Sequence, residues 1–188
     1  MAGEIQLNGT TAITESSGVI SLGTAVNLTG ADQIVQVKTA TTDTQSTVGT
    51  NDVTILDLEF ATKNANSKFL AIVTAQIGGD GDANAGYHGI CLTVGSTPTV
   101  TDYMERGASS VTRGVNDALW FVDVGMVSSQ YSMSQSTFSA EKITTIAAGT
   151  TISVAYWCRG ATNLYINRSR NRENESGVTK LIVYEIAQ

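Results

Sequence analysis

The sequence predicts an all-β domain, a sandwich or a barrel, and three observations carry that prediction. Thr, Ser, Asn and Gly are abundant, whereas the straight-chain helix formers Lys, Glu, Leu and Met are scarce. Thr is β-branched and suits a pleated strand, while Ser, Asn and Gly suit the turns between strands. Apolar runs of strand length recur at fairly even spacing with polar turns between them, as sandwiches and barrels require. Several runs alternate with period two, for instance Leu56, Leu58 and Phe60 against Asp57 and Glu59, the pattern of a half-buried strand.

Taken in order, residues 1–32 form an N-terminal arm distinct from the rest. Its only charges before Asp32 are Glu4 and Glu15, and its apolar positions (Ile5, Leu7, Ile13, Val19, Ile20 and Leu22) lie in short pieces. Asn8-Gly9, Ser17-Gly18 and Thr29-Gly30 separate those pieces, and Asn-Gly favours a two-residue hairpin turn because both residues tolerate positive φ. Pieces this short need another surface to pack against, so the arm is expected to serve anchoring or assembly. Residues 33–188 form the body, with strands expected at 33–39, 53–60, 68–77, 87–94, 117–127, 131–140, 151–158, 163–167 and 179–186. Within the third, "FLAIVTAQI" is nearly all apolar and is expected to be a central strand covered on both faces. "ASSVTRGVNDA" reads as a long surface loop. Pro98, the only proline, falls in "GSTPT" between strands, where its missing amide breaks no ladder.

Bulk properties narrow the function. A chain of 188 residues with 41% hydrophobic content fits one domain with a real core. Its net charge of −6 lacks the basic footprint of phosphate-backbone binding, so nucleic acid is not an expected partner. No apolar run approaches the roughly 20 residues needed to span a bilayer, so membrane insertion is not expected either. The start, "MAGEIQLNGTTAITE", has neither the basic nor the apolar segment of a signal peptide, which implies a chain that begins at its mature start and folds in a cytoplasm. The sequons at Asn8, Asn27, Asn167 and Asn174 therefore carry no glycosylation meaning. Cys91 and Cys158 both sit in strand-like runs and are expected to be buried free thiols.

Two stretches invite a chemical reading. In "GGDGDANAGYHG", residues 78–89, Asp80, Asp82 and Asn84 alternate as calcium ligands do. Counted from Asp80, however, a helix–loop–helix calcium site would need glycine where Ala85 stands and glutamate where Cys91 stands. What remains is a glycine-rich connection whose tip, Asp80 to Asn84, is a plain loop or a partner contact. His88 is the only histidine, which excludes an imidazole-built metal site, and on its strand it shares a face with Ile90. A strand histidine making one ordinary hydrogen bond is the expectation, because no nucleophile accompanies it. In "NLYINRSRNRENESG", residues 163–177, Arg168, Arg170 and Arg172 alternate and are followed by Glu173 and Glu175. An extended backbone would put the three guanidiniums on one side. They would then be solvated beside the glutamates, form a subunit contact, or grip an anion or sugar. No catalytic residue, metal ligand or cofactor-binding residue is assigned.

Five runs in order, "IVQVKTATTDTQST", "SKFLAIVTAQIG", "YHGICLTVGSTP", "GATNLYINRS" and "VTKLIVYEIAQ", resemble small β-domains in structural proteins of tailed bacteriophages. The resemblance covers roughly residues 33–188 and is sharpest at "LYINRS" and at the final strand ending in "EIA". It implies a jelly-roll-like β-sandwich knob, similar in outline to the tumour-necrosis-factor-like fold and often trimeric, that attaches or decorates without catalysis. Fibre-tip members of that family carry a long N-terminal shaft, whereas here only about 32 residues precede the knob. The resemblance therefore implies a trimeric capsid decoration or cement protein, made in the host cytoplasm and carried on the virion. Its implied partners are its own copies and other virion proteins such as the major capsid protein. The alternative is a tail-appendage tip that binds a host receptor or surface glycan.

Overall fold

In the computed structural model the described residues are 3–7, 10–16, 19–22, 32–78, 85–99, 104, 119–123, 133–160, 163–171, 174 and 176–188, with the strand backbone alone described for those before 32, for 85 and for 119–123. They are all-β. The N-terminal strands β1 (Gly3–Leu7), β2 (Thr10–Ser16) and β3 (Val19–Leu22) form an antiparallel sheet of their own. Leu7 pairs with Thr10 and Ser16 with Val19, so two-residue connections at 8–9 and 17–18 join the strands, as Asn8-Gly9 and Ser17-Gly18 predict.

The body is a sandwich of two antiparallel sheets. One contains β4 (Ile34–Thr42), β5 (Ser46–Val48), β7 (Lys68–Gly78), β10 (Met133–Ile143), β12 (Leu164–Ile166) and β13 (Thr179–Ile186). Strand β10 pairs with β7 from end to end, so the opposite edge of β7 is shared by β13 and, at residues 77 and 78, by β12. Strands β12 and β13 thus form one interrupted column, and β4 and β5 form a second beside it. The other sheet has the order β6 (Val53–Ala61), β11 (Thr151–Gly160), β8 (Ala85–Val94) and β9 (Leu119–Asp123). Apart from the neighbouring pair β8–β9, successive columns therefore alternate between two four-column sheets, which is the topology of a jelly roll.

Alternation explains the core. Phe69, Ala71, Val73, Ala75 and Ile77 of β7 are fully buried and face Ile90, Leu92, Ile152, Val154 and Tyr156 of the second sheet. The strand at 68–77 is central, but it is covered on one face only: Leu70, Ile72, Thr74 and Gln76 are half-buried on the outside. The strand enclosed on both faces is β11, whose outward Ala155 and Trp157 cluster with Cys91 of β8. Gly89 permits this cluster, since the Trp157 indole fills the space that a Cβ there would take. Cys158 points the other way, into the main core, and pairs in register with His88 while Cys91 pairs with Ala155. The two free thiols are therefore buried on opposite faces of one sheet and form no bridge. Burial, then the Asp52 carboxylate, pushes the Cys158 thiol up, which keeps it protonated and unreactive.

Candidate functional site

His88 is buried between the sheets rather than displayed. Its Nδ1 lies 2.7 Å from the Tyr156 hydroxyl, and its ring stacks on Phe138 at 5.0 Å and on Tyr156 at 6.0 Å. Burial lowers its pKa to about 3, so the imidazole is neutral, and Nε2 has no hydrogen-bond partner among the described residues. The same burial raises the Tyr156 phenol well above its ordinary value. This is the core histidine with one hydrogen bond that the strand pattern predicts, and solvent cannot reach it. Among the described residues, no three His, Cys, Asp or Glu side chains converge on a point where an ion could sit.

The arginine segment is bent rather than extended. Arg168 stacks over the Tyr165 ring at 5.3 Å and donates from Nε to the Ser169 carbonyl at 3.2 Å and from its guanidinium to the Arg170 carbonyl at 3.0 Å. Its guanidinium is therefore engaged with its own loop, while Arg170 is exposed. Arg172 lies outside the described residues, as do Asp80, Asp82 and Asn84. Strand β7 ends at Gly78, at one end of its sheet, and β8 of the other sheet begins at Ala85. At that end Gly78 packs so closely on the Arg168 carbonyl that no Cβ would fit. The roots of the 79–84 and 167–178 segments therefore meet, which the sequence gives no means to foresee.

Asn167 anchors the second of these segments. It is buried with φ at 59°, a conformation asparagine tolerates better than other non-glycine residues. Its side-chain amide donates to the carbonyls of Thr42 and Thr44, its carbonyl accepts from the Thr179 hydroxyl, and its backbone bonds Gln76 and Gly177. The column leaves the sheet at Ile166 and returns at Thr179, and Asn167 clasps both ends. Asn167→Ala is expected to cost about 2 kcal/mol in urea unfolding, because two carbonyls and a hydroxyl lose their partner. A loss below about 0.5 kcal/mol, the range of neutral surface changes, would contradict this role.

Sequence reasoning also missed Glu185. It follows Leu181 and Val183 in the inward phase of β13 and is fully buried. Its carboxylate accepts from the Lys63 amide, the Asn64 amide, the Ser67 hydroxyl at 2.7 Å and the Gln36 side chain at 2.8 Å. It thus ties the last strand and β4 to the turn between β6 and β7. A charge standing in the apolar phase of a strand was the available signal.

The outer face of the first sheet carries several exposed apolar side chains. Register lines up Val37, Tyr184, Leu70 and Glu141 in one row, and Thr39, Ile182, Ile72 and Ser139 in the next. The row at the sheet end holds Ile34, Ile186, Lys68 and Ile143. In the single chain Ile143 is 67% exposed, Ile34 57% and Val37 49%. The cations here are Lys180 and Lys68, the latter 3.1 Å from Glu141. Contiguous apolar surface of this kind marks a place where another surface lands.

The arm residues are brought together by strand pairing: Ile5 pairs with Ile13 and Ile13 with Leu22, Leu7 pairs with Thr10, Ile20 with Glu15, and Val19 with Ser16.

No family model and no curated protein matches this sequence. The chemistry of its surfaces, rather than kinship, has to carry the functional reading.

Proposed function

We propose that this chain is a non-enzymatic structural protein of a tailed-bacteriophage virion, a homotrimeric decoration or cement protein held on the capsid through its N-terminal arm. The observation that carries the assembly role is the set of exposed apolar side chains, Ile34, Val37 and Ile143, on the outer face of the first body sheet. Exposed apolar side chains grouped in this way suit contact with another protein surface. The virion setting comes from the motif resemblance, and the jelly-roll topology agrees with it.

Removing residues 1–32 is expected to abolish binding to phage heads while leaving a folded body with an unchanged thermal transition. Truncated protein that still decorates heads as the full chain does would overturn the anchoring role.

One observation favours a second reading, a tail-appendage tip that binds a host receptor or surface glycan. The connection holding Asp80, Asp82 and Asn84 and the segment holding Arg170 start from adjacent points at one end of the sandwich, as recognition loops do. Binding of the truncated body to host cells, lost on Arg170→Glu, would select this reading over the first.

A further inference from the structure

We propose that β10 pairs antiparallel with β10 of a second copy of this chain, edge to edge about a two-fold axis at Phe138. The inference goes beyond the reading above and rests on neither the capsid nor the trimer. Strand β10 is 11 residues long and pairs with β7 without a bulge, and no strand among the described residues pairs with its other edge. On the far side of the sandwich the β4 and β6 edges are instead tied together, the Gln36 side chain donating to the Ala61 carbonyl. The Thr144 amide donates to the Ser67 carbonyl where the β10–β7 ladder continues, so even-numbered residues of β10 aim their backbone groups at β7. The odd-numbered residues therefore aim theirs at the open edge, and Gln135, Thr137, Ser139, Glu141 and Ile143 are all exposed. Natural sheets protect a free edge with charge, proline or a bulge, and residues 133–140 hold none of these.

A second β10 fits this edge because the strand is complementary to itself. Backbone groups that meet across the new ladder must both belong to odd-numbered residues, and a two-fold at Phe138 pairs the strand along its whole length. Met133 then meets Ile143, Gln135 meets Glu141 and Thr137 meets Ser139, each pair on both sides of the axis. These are an apolar pair, a hydrogen-bonding pair and a hydroxyl pair, and such pairs stabilise neighbouring strands. Lys142 falls opposite Ser134, so no like charges meet. Sliding the register by one odd-numbered position sets Glu141 against Met133 or Ile143 against Gln135, and leaves the strand ends unpaired. The contact joins the first sheets of two copies into one continuous sheet. Being two-fold it is closed on itself, so it doubles a monomer and links one trimer to the next.

The test is a disulfide trap between two kinds of full-length chain. Thr137→Cys and Ser139→Cys are co-expressed, purified together and oxidised, with each variant alone as control. Residues opposed in a hydrogen-bonded pair lie about 5.5 Å apart at Cα, within disulfide reach. Cys91 and Cys158 are buried and stay out of the reaction. The expected result is a linked dimer whose joined peptides carry positions 137 and 139, in excess of any dimer from either variant alone. No such excess, with both variants retaining the native far-UV spectrum and thermal transition, would overturn the proposal. Charge reads the register independently. Gln135→Glu sets a second carboxylate against Glu141 of the other copy and should weaken association roughly tenfold by sedimentation, whereas Gln135→Lys should leave it as tight or tighter. Equal effects of the two substitutions count against this register. Thr137→Pro removes an amide aimed at the open edge and none from the β7 ladder, so it should abolish the contact in a folded chain. A folded proline variant that still associates as the parent does refutes the edge pairing. None of these readouts uses phage heads, so a failed decoration assay with an intact trap removes the virion reading alone.

Discussion

Replacing Glu185 by alanine is expected to destabilise the fold by about 3–5 kcal/mol, the largest single effect among polar positions, because it strands several buried donors at once. The Lys63 and Asn64 amides, the Ser67 hydroxyl and the Gln36 side-chain amide all converge on this carboxylate. Without it the turn from 62 to 67 has nothing to close around, and β13 loses its tie to that turn. Thermal unfolding should move down by on the order of 10 °C for a chain of this size. Glu185→Gln should fall between alanine and the parent, since its oxygen still accepts while its NH₂ is set against another donor. An alanine variant within about 1 kcal/mol of the parent would mean that water replaces the carboxylate at little cost.

Acid should weaken the protein through His88 well before most carboxylates titrate. The folded pKa is lowered to about 3 from the usual 6.5, so below pH 6.5 the unfolded chain binds a proton that the folded chain refuses. Stability from this residue is complete above about 6.5 and is lost as pH falls towards 3. The slope is about 1.4 kcal/mol per pH unit, or about 2 kcal/mol by pH 5. The paired variant His88→Phe with Tyr156→Phe removes the titrating group and the hydroxyl it would orphan. Urea midpoints between pH 7.5 and 5 should fall for the parent and stay nearly level for the pair. Equal slopes in both would place the acid sensitivity elsewhere.

Strand periodicity alone carried most of the architecture. The runs at 53–60, 68–77, 151–158 and 179–186 reappear as β6, β7, β11 and β13, because a half-buried sheet imposes period two on any sequence that forms it. The short β5 was missed, since three residues of "STV" hold no periodicity to detect. Coverage was misread at 68–77 for a physical reason. An apolar outer row looks the same in sequence whether or not another layer of the domain covers it, and Leu70 and Ile72 are only half-buried on their outer face. The arginine tract was misread because alternation has meaning only in extended backbone, and Asn167 turns the chain before Arg168. Glu185 and Asn167 could not be assigned their roles from sequence, because the partners of Glu185, and the Thr42 and Thr44 carbonyls that Asn167 holds, lie more than 100 residues away along the chain.

The interrupted column formed by β12 and β13 gives this fold a natural grafting point. Asn167 joins the departing and returning chain at the sheet, and the described ladder pairs of this column lie within 164–166 and 179–186. Lengthening a loop already closed at its base costs only about 0.6 kcal/mol per doubling. Foreign peptides inserted between 171 and 176 are expected to leave both sheets unchanged, so this turn of the chain can accept new sequence without rebuilding the core.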